Sequence, residues 1–197
     1  MQRFDTVADE WDKSDRRRAL AHTVARAIMD NVTITPSMRV LDFGCGTGLL
    51  SEPFMDTLTH ITGLDTSQNM LENYKAKFGA RCSVLQHDLL ATPLEKRYDL
   101  IVSSMTLHHI EDTKRILERF YEHLAPNGSV AIADLCTEDG RFHDHGNEGV
   151  YHFGFEEEKI RMQCADVGLH VSFFETLFQI EKEDRSYAVF LLIAAKE

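Results

Sequence analysis

The chain lacks any apolar run near the roughly 20 residues that cross a bilayer, so no membrane-spanning helix is expected. Its first stretch, "MQRFDTVADEWDKSDRRR", has no apolar core, so no secretory signal is expected and a cytoplasmic location is. Cysteine is sparse. Cys45, Cys82, Cys136 and Cys164 are scattered, with no C-x-x-C pair, which argues against a zinc knuckle or a disulfide scaffold. Positive charge is in deficit, 21 basic against 32 acidic side chains, for a formal net charge of −11. A nucleic-acid binder usually carries a basic face. The one basic cluster, Lys13 with Arg16, Arg17 and Arg18, is interleaved with Asp9, Glu10, Asp12 and Asp15, and reads as a solvated helix start. Nucleic acid is therefore not expected as a partner. Internal repeats and low-complexity tracts are also missing.

What is present is a regular alternation. Helical spacing runs from Arg16 to Asn31, with Leu20, Val24, Ala27 and Ile28 on one face. Apolar strands are expected at 39–43, 60–65, 83–87, 98–103 and 129–134. Helices are expected at 49–58, from a Ser67 cap to Phe78, at 112–124 and at 156–167. The strands are continuous apolar runs, which indicates a parallel sheet covered on both faces. The end differs. "VSFFETLFQIEK" and "YAVFLLIAAK" are separated by little more than "EDRS", too short for a parallel crossover, so they must pair antiparallel. The fold class expected is α/β: a doubly wound, mostly parallel sheet of seven strands closed by an antiparallel hairpin.

The stretch "RVLDFGCGTGLL" places Gly44, Gly46 and Gly48 directly after the first strand. Parallel sheets bind ligands beyond the carboxyl ends of their strands, where strand order reverses. Glycine there allows a tight turn and a close approach to bare backbone. A dinucleotide loop would read G-x-G-x-x-G and set a pyrophosphate on a helix N-terminus. This loop reads G-x-G-x-G, and Asp42 just before it would repel a pyrophosphate but attract a sulfonium or ammonium. The second strand ends at Asp65, 17 residues past Gly48, where an acid accepts from ribose hydroxyls. A nucleoside bearing positive charge fits, as S-adenosylmethionine does; a nicotinamide oxidoreductase is disfavoured.

"VLDFGCGTG", "ITGLDTSQNML", "QHDLL", "YDLIVSSMTLHHI" and "LAPNGSVAIAD" closely resemble, in order, the successive motifs of the Rossmann-like S-adenosylmethionine-dependent methyltransferases. "FDTVADEWD" resembles the opening of the small-molecule branch of that family. The resemblance implies a seven-stranded sheet with its last strand antiparallel. It implies that Asp42 and the loop Gly44, Cys45, Gly46, Thr47 and Gly48 hold the methionine end. Asp65 and Thr66 would hold the ribose, with Met70, His87, Asp88 and Leu89 around the adenine. Ser103 and Ser104 would line the floor beside the sulfur.

Methyl transfer asks mainly for positioning, and for a base only where the acceptor arrives protonated. His108 and His109 follow the fourth strand, close to where the resemblance puts the reacting methyl, and are candidate catalytic residues; the resemblance gives the second a structural task. The segment 135–155 is too long for a plain connection. It carries His143, His145 and His152 among Phe142, Tyr151, Phe153 and Phe155, and is expected to be a substrate lid with Tyr151 and Phe153 over the acceptor. His152, flanked by aromatics, is the better candidate base there, and His143 and His145 are expected to be more solvated. The three loop histidines suggest metal ligation, yet their spacing matches no standard zinc pattern. Asp134 is followed by Leu135 rather than the Asn of the metal-assisted catechol-type enzymes. No metal is expected.

In the N-terminal arm, Phe4 and Trp11 are expected to fold over the cofactor. One domain is expected, divided into an arm at 1–35, a cofactor core at 36–134, the lid at 135–155 and a helix with the hairpin at 156–197. A metal-independent methyltransferase acting on a small molecule is the leading reading. A non-catalytic cofactor-binding subunit, or an enzyme using the sulfonium for other chemistry, is the alternative. The acceptor is not legible.

Overall fold

The computed structural model describes residues 11–144, 146–182 and 185–196. Its frame is a seven-stranded sheet: β1 Val40–Phe43, β2 Ile61–Asp65, β3 Cys82–Gln86, β4 Tyr98–Ser104, β5 Leu124–Leu135, β6 Leu169–Lys182 and β7 Arg185–Lys196. The strand order is β3-β2-β1-β4-β5-β7-β6. β1 to β5 run parallel, and β7 enters antiparallel between β5 and β6. The sheet class and the terminal hairpin are as the sequence indicates.

Among the described residues four helices cover it: α1 Asp15–Asn31, α2 Gln68–Phe78, α3 Thr113–His123 and α4 Glu157–Asp166. Ser14, Ser67 and Asp112 cap the first three, each accepting a backbone N–H three residues on. Side-chain alternation along the strands splits the core in two. On one face Val40, Leu100, Ala131 and Ala133 meet Val24 and Ile28 of α1 and Leu71 and Tyr74 of α2. On the other, Leu41, Ile101, Val130 and Ile132 meet Ile116 and Phe120 of α3 and Ile160 of α4. Among the described residues no helix is long and apolar enough to cross a membrane.

Two expectations are corrected. The helix expected at 49–58 is one turn followed by a 3-10 segment, Pro53–Asp56. Glu52 N–H still reaches the Gly48 carbonyl, but Pro53 has no N–H to offer Leu49, and the α-helix stops there. β5 begins earlier than expected, because Leu124 pairs with Tyr98 before the register shifts. Asn127, at φ 60°, and Gly128 form the corner between the two parts.

Candidate functional site

The chain runs β1 to β3 toward one edge and returns to β4 on the other side of β1. The crevice of such a sheet therefore opens beyond the carboxyl ends of β1 and β4. Gly44, Gly46 and Gly48 lie there with φ of 67°, 50° and 88°, a region other residues enter only at a cost. Two of them are also sterically required. A β-carbon on Gly44 would lie 2.4 Å from Thr106 Cγ2, and one on Gly48 would lie 2.5 Å from Phe78 Cε2. Gly46 is different: only Met70 Sδ, at 3.9 Å, comes near that position, so the middle of the loop presents bare backbone with room beside it. The N–H groups of Gly44 and Cys45 donate to the Leu64 carbonyl at 2.8 and 3.0 Å, which ties the loop to the end of β2.

Asp65 ends β2 and braces that loop. Its Oδ2 accepts from Gly46 N–H and its Oδ1 from Ser67 N–H, both at 2.9 Å. Asp42 lies deeper. It is almost fully buried, and its Oδ2 accepts from Ser51 Oγ at 2.6 Å, with Tyr74 Oη 2.8 Å from the same hydroxyl. Burial pushes the Asp42 carboxyl up to about 7, with the Ser51 hydrogen bond pulling down and the Asp65 charge adding to the rise. Cys45 is buried too, and burial with the neighbouring Asp42 and Asp65 carboxylates pushes its thiol well up, so it is no nucleophile.

The Asp42 shift sets a pH dependence. A native carboxyl titrating near 7 holds a proton that the unfolded chain has already released near 4. Stability of the ligand-free protein should therefore fall as pH rises through that window, by roughly 4 kcal/mol in all. Denaturation midpoints measured from about pH 5 to about pH 8 check it. The slope should flatten in Asp42→Asn, and equal slopes in both proteins would rule the assignment out.

The remaining cofactor candidates divide. Met70 is buried beneath the loop. Asp88, exposed, accepts from Leu90 N–H at 2.9 Å and Ala91 N–H at 3.3 Å, closing a turn in which the His87 ring donates to the Thr92 carbonyl. Leu89 is buried between them, and Thr66 is exposed. Ser104 is partly open, but Ser103 is fully buried and donates to the Phe43 carbonyl at 3.0 Å. Ser103 thus stitches β4 to β1 rather than presenting its hydroxyl to a ligand. After Ser104, Met105 turns at φ 55°, rare for a long side chain, and Thr106 follows against Gly44.

The N-terminal arm reaches the loop from outside. Thr47 Oγ1 donates to Asp12 Oδ1, and Lys77 bridges Asp12 and Glu52 at 2.8 and 2.6 Å. Trp11 lies under the Arg17 guanidinium, 3.9 Å from ring centroid to Cζ. Phe4 lies outside the described residues, as does His145.

On the acceptor side the histidines rearrange the sequence reading. His108, on the 3-10 turn Leu107–His109, is buried, and its Nδ1 lies 2.6 Å from Asp134 Oδ1. Asp134 also accepts from Leu135 N–H at 2.8 Å and His108 N–H at 3.3 Å. Burial alone would raise the Asp134 carboxyl. The neighbouring His108 ring and these hydrogen bonds outweigh it and hold the group below the usual carboxylate range. His109 Nδ1 donates to the Gly149 carbonyl at 2.7 Å, so both histidines tie down structure. His152, the other candidate base, has its Nε2 donating to the Ile110 carbonyl at 2.9 Å and its ring packed on Phe155. It pins the lid. His143, expected to be solvated, instead joins His108 and His109, with ring centroids 5.2 and 5.5 Å away.

The segment 135–155 folds back against the turn after β4. Tyr151 and His152 N–H groups both donate to the His108 carbonyl, and its two ends meet in a parallel bridge between Cys136 and Phe155. Gly154 permits that closure, since a β-carbon there would lie 2.1 Å from the Cys136 carbonyl oxygen. Tyr151 and Phe153 are 54% and 45% exposed, so in this form they face solvent rather than a covered acceptor pocket.

A family model described as a methyltransferase domain matches residues 13–179. An uncharacterized methyltransferase of Schizosaccharomyces pombe is 36% identical over 135 residues, 59% of this chain and 48% of that protein. The chain spans about half the length of the curated relatives it matches first. Among solved structures, the putative methyltransferase seen in complex with the Haloferax volcanii Trm112 methyltransferase activator superposes with a TM-score of 0.80 at 18% identity, over 98% of this chain and 97% of that one. Magnesium protoporphyrin IX methyltransferase of Synechocystis PCC 6803, solved with bound S-adenosylmethionine, gives 0.69 at 17% identity over 92% and 80%. The bare backbone at Gly46, with the Asp65 carboxylate at the end of β2, fits the cofactor that such a domain takes, and this chain belongs to the Rossmann-like, S-adenosylmethionine-dependent methyltransferase family.

Proposed function

We propose that this domain transfers a methyl group from S-adenosylmethionine to a small acceptor molecule. The observation that carries the reading is the glycine loop at the β1–β4 crevice, open at Gly46 and backed by Asp65. Bound there, S-adenosylmethionine supplies a methyl on a sulfonium, already a good electrophile. The backbone of residues 44–48 holds the methionine end, Asp65 accepts from the ribose hydroxyls, and Asp88 and Leu89 flank the adenine. Asp42, behind the loop, adds negative charge as it ionises, which favours a cation in front of it. What the chain must then do is hold the acceptor's nucleophile in line in a dry site, a contribution of about 7–11 kcal/mol when well oriented. The lid at 135–155 and the arm from Trp11, fastened through Asp12 to Thr47, are placed to exclude water. Tyr151 and Phe153 serve that purpose by turning inward when an acceptor binds.

Should the acceptor arrive protonated, His108 and His109, on the turn after β4, are the imidazoles assigned to take its proton. Formation of S-adenosylhomocysteine across a panel of small metabolites tests the proposal. It should appear with at least one acceptor and depend on enzyme concentration. Cofactor consumption with a different product would replace methyl transfer by another sulfonium chemistry. Tight cofactor binding with turnover only after adding a second protein would favour the cofactor-binding subunit.

A further inference from the structure

His108 and His109 come from the turn after β4, and His143 comes from the lid, 34 residues further along. Each offers a ring nitrogen, and the three nitrogens lie within 4.8 Å of one another. We propose that these three histidines bind one divalent transition-metal ion of the zinc class, which clamps the lid onto the end of β4. The binding needs no cofactor in the crevice.

The hydrogen bonds behind the rings favour ligation. An imidazole that donates from Nδ1 presents the lone pair of Nε2, and metal-ligating histidines characteristically donate their other nitrogen to a carboxylate or a carbonyl. His108 has Asp134 behind it, and His109 has the Gly149 carbonyl. Both rings are thereby fixed in the tautomer a metal requires. Asp134 is buried, and its Oδ1 lies 2.6 Å from His108 Nδ1, so a carboxyl stands directly behind one ligand ring. Three neutral imidazoles suit zinc, nickel or cobalt, whereas calcium and magnesium ask for oxygen ligands.

Size also fits. Metal–nitrogen bonds of about 2.0–2.1 Å in a tetrahedral site put ligand nitrogens about 3.4 Å apart. The present separations need to close by about 1.5 Å at most, within the reach of side-chain rotation. His109 and His143 are only partly buried, which leaves a way in. Three protein ligands leave a fourth position for water or for an acceptor heteroatom. Among the described loop histidines His143 joins this site, while His152 turns away to Ile110.

The test is a titration of metal-stripped protein with Zn2+ against a competing chelator, repeated with Co2+, whose visible bands report tetrahedral nitrogen coordination. One ion per chain is expected. His109→Ala and His143→Ala should each weaken binding at least 10-fold, while His170→Ala, an exposed position on β6, should leave it unchanged. Zn2+ should also protect residues 135–155 from proteolysis in the wild type and not in His143→Ala. Wild-type affinity retained in both variants, or Co2+ bands of octahedral, water-rich coordination, would overturn the site.

Discussion

Exchange of Asp65 for alanine is expected to weaken S-adenosylmethionine binding roughly 10- to 150-fold, the equivalent of about 1.5–3 kcal/mol for a hydrogen bond to a charged acceptor. The structure adds a second consequence. Asp65 holds Gly46 N–H and Ser67 N–H, so the alanine variant loses a brace on the loop and one on the cap of α2 even without ligand. Asp65→Asn separates the two effects. Its amide oxygen still accepts one of those N–H groups, so stability should largely return, while a neutral acceptor for the ribose recovers only part of the affinity. Calorimetric titration of the three proteins, with denaturation midpoints measured beside it, gives both quantities. Unchanged affinity in the alanine variant would reduce Asp65 to a loop brace and remove the ribose assignment.

The glycine loop was legible because its cause is local. Backbone needing positive φ after an apolar strand leaves glycine in the sequence, and all three glycines have that geometry. The hairpin was legible for a similar reason, since the short link between β6 and β7 admits one pairing. The misread helix at 49–58 had the right apolar spacing, but one proline decided the outcome, a backbone effect that periodicity does not weigh. The acceptor side was read least well. His152 drew attention through its aromatic neighbours in sequence, but its Nε2 donates to the carbonyl of Ile110, 42 positions away, a contact no local pattern indicates. His143 looked solvated beside acidic residues, yet the 135–155 segment folds back and sets it against His108 and His109. The Asp12–Thr47 and Asp134–His108 contacts likewise join segments that only the closed fold brings together. Positive φ at Met105 left no signal, because nothing in a methionine marks a turn.

The Asp134–His108 pair carries the other large expected effect. Both side chains are buried, at 0% and 2% exposure, and the carboxylate satisfies the imidazole and two backbone N–H groups. Removing one partner of a buried, hydrogen-bonded pair typically costs about 3–5 kcal/mol, because the other is left desolvated and uncompensated. Asp134→Ala should therefore lower the thermal midpoint by roughly 6–20 °C for a chain of this size. Asp134→Asn keeps an oxygen for Leu135 N–H and for one donor of His108, and should lose less. The double variant Asp134→Ala with His108→Leu removes both polar groups and should regain part of the loss, the signature of coupling between the two positions. If Asp134→Ala stays within about 1 kcal/mol of wild type, an ordinary surface-scale effect, the pair is not what holds the turn after β4 against β5. Should the losses of Asp134→Ala and His108→Leu instead simply add, each group is supported by its other neighbours. His108 would then stand in place without its carboxylate, and its Nε2 would no longer be presented by the bond behind it.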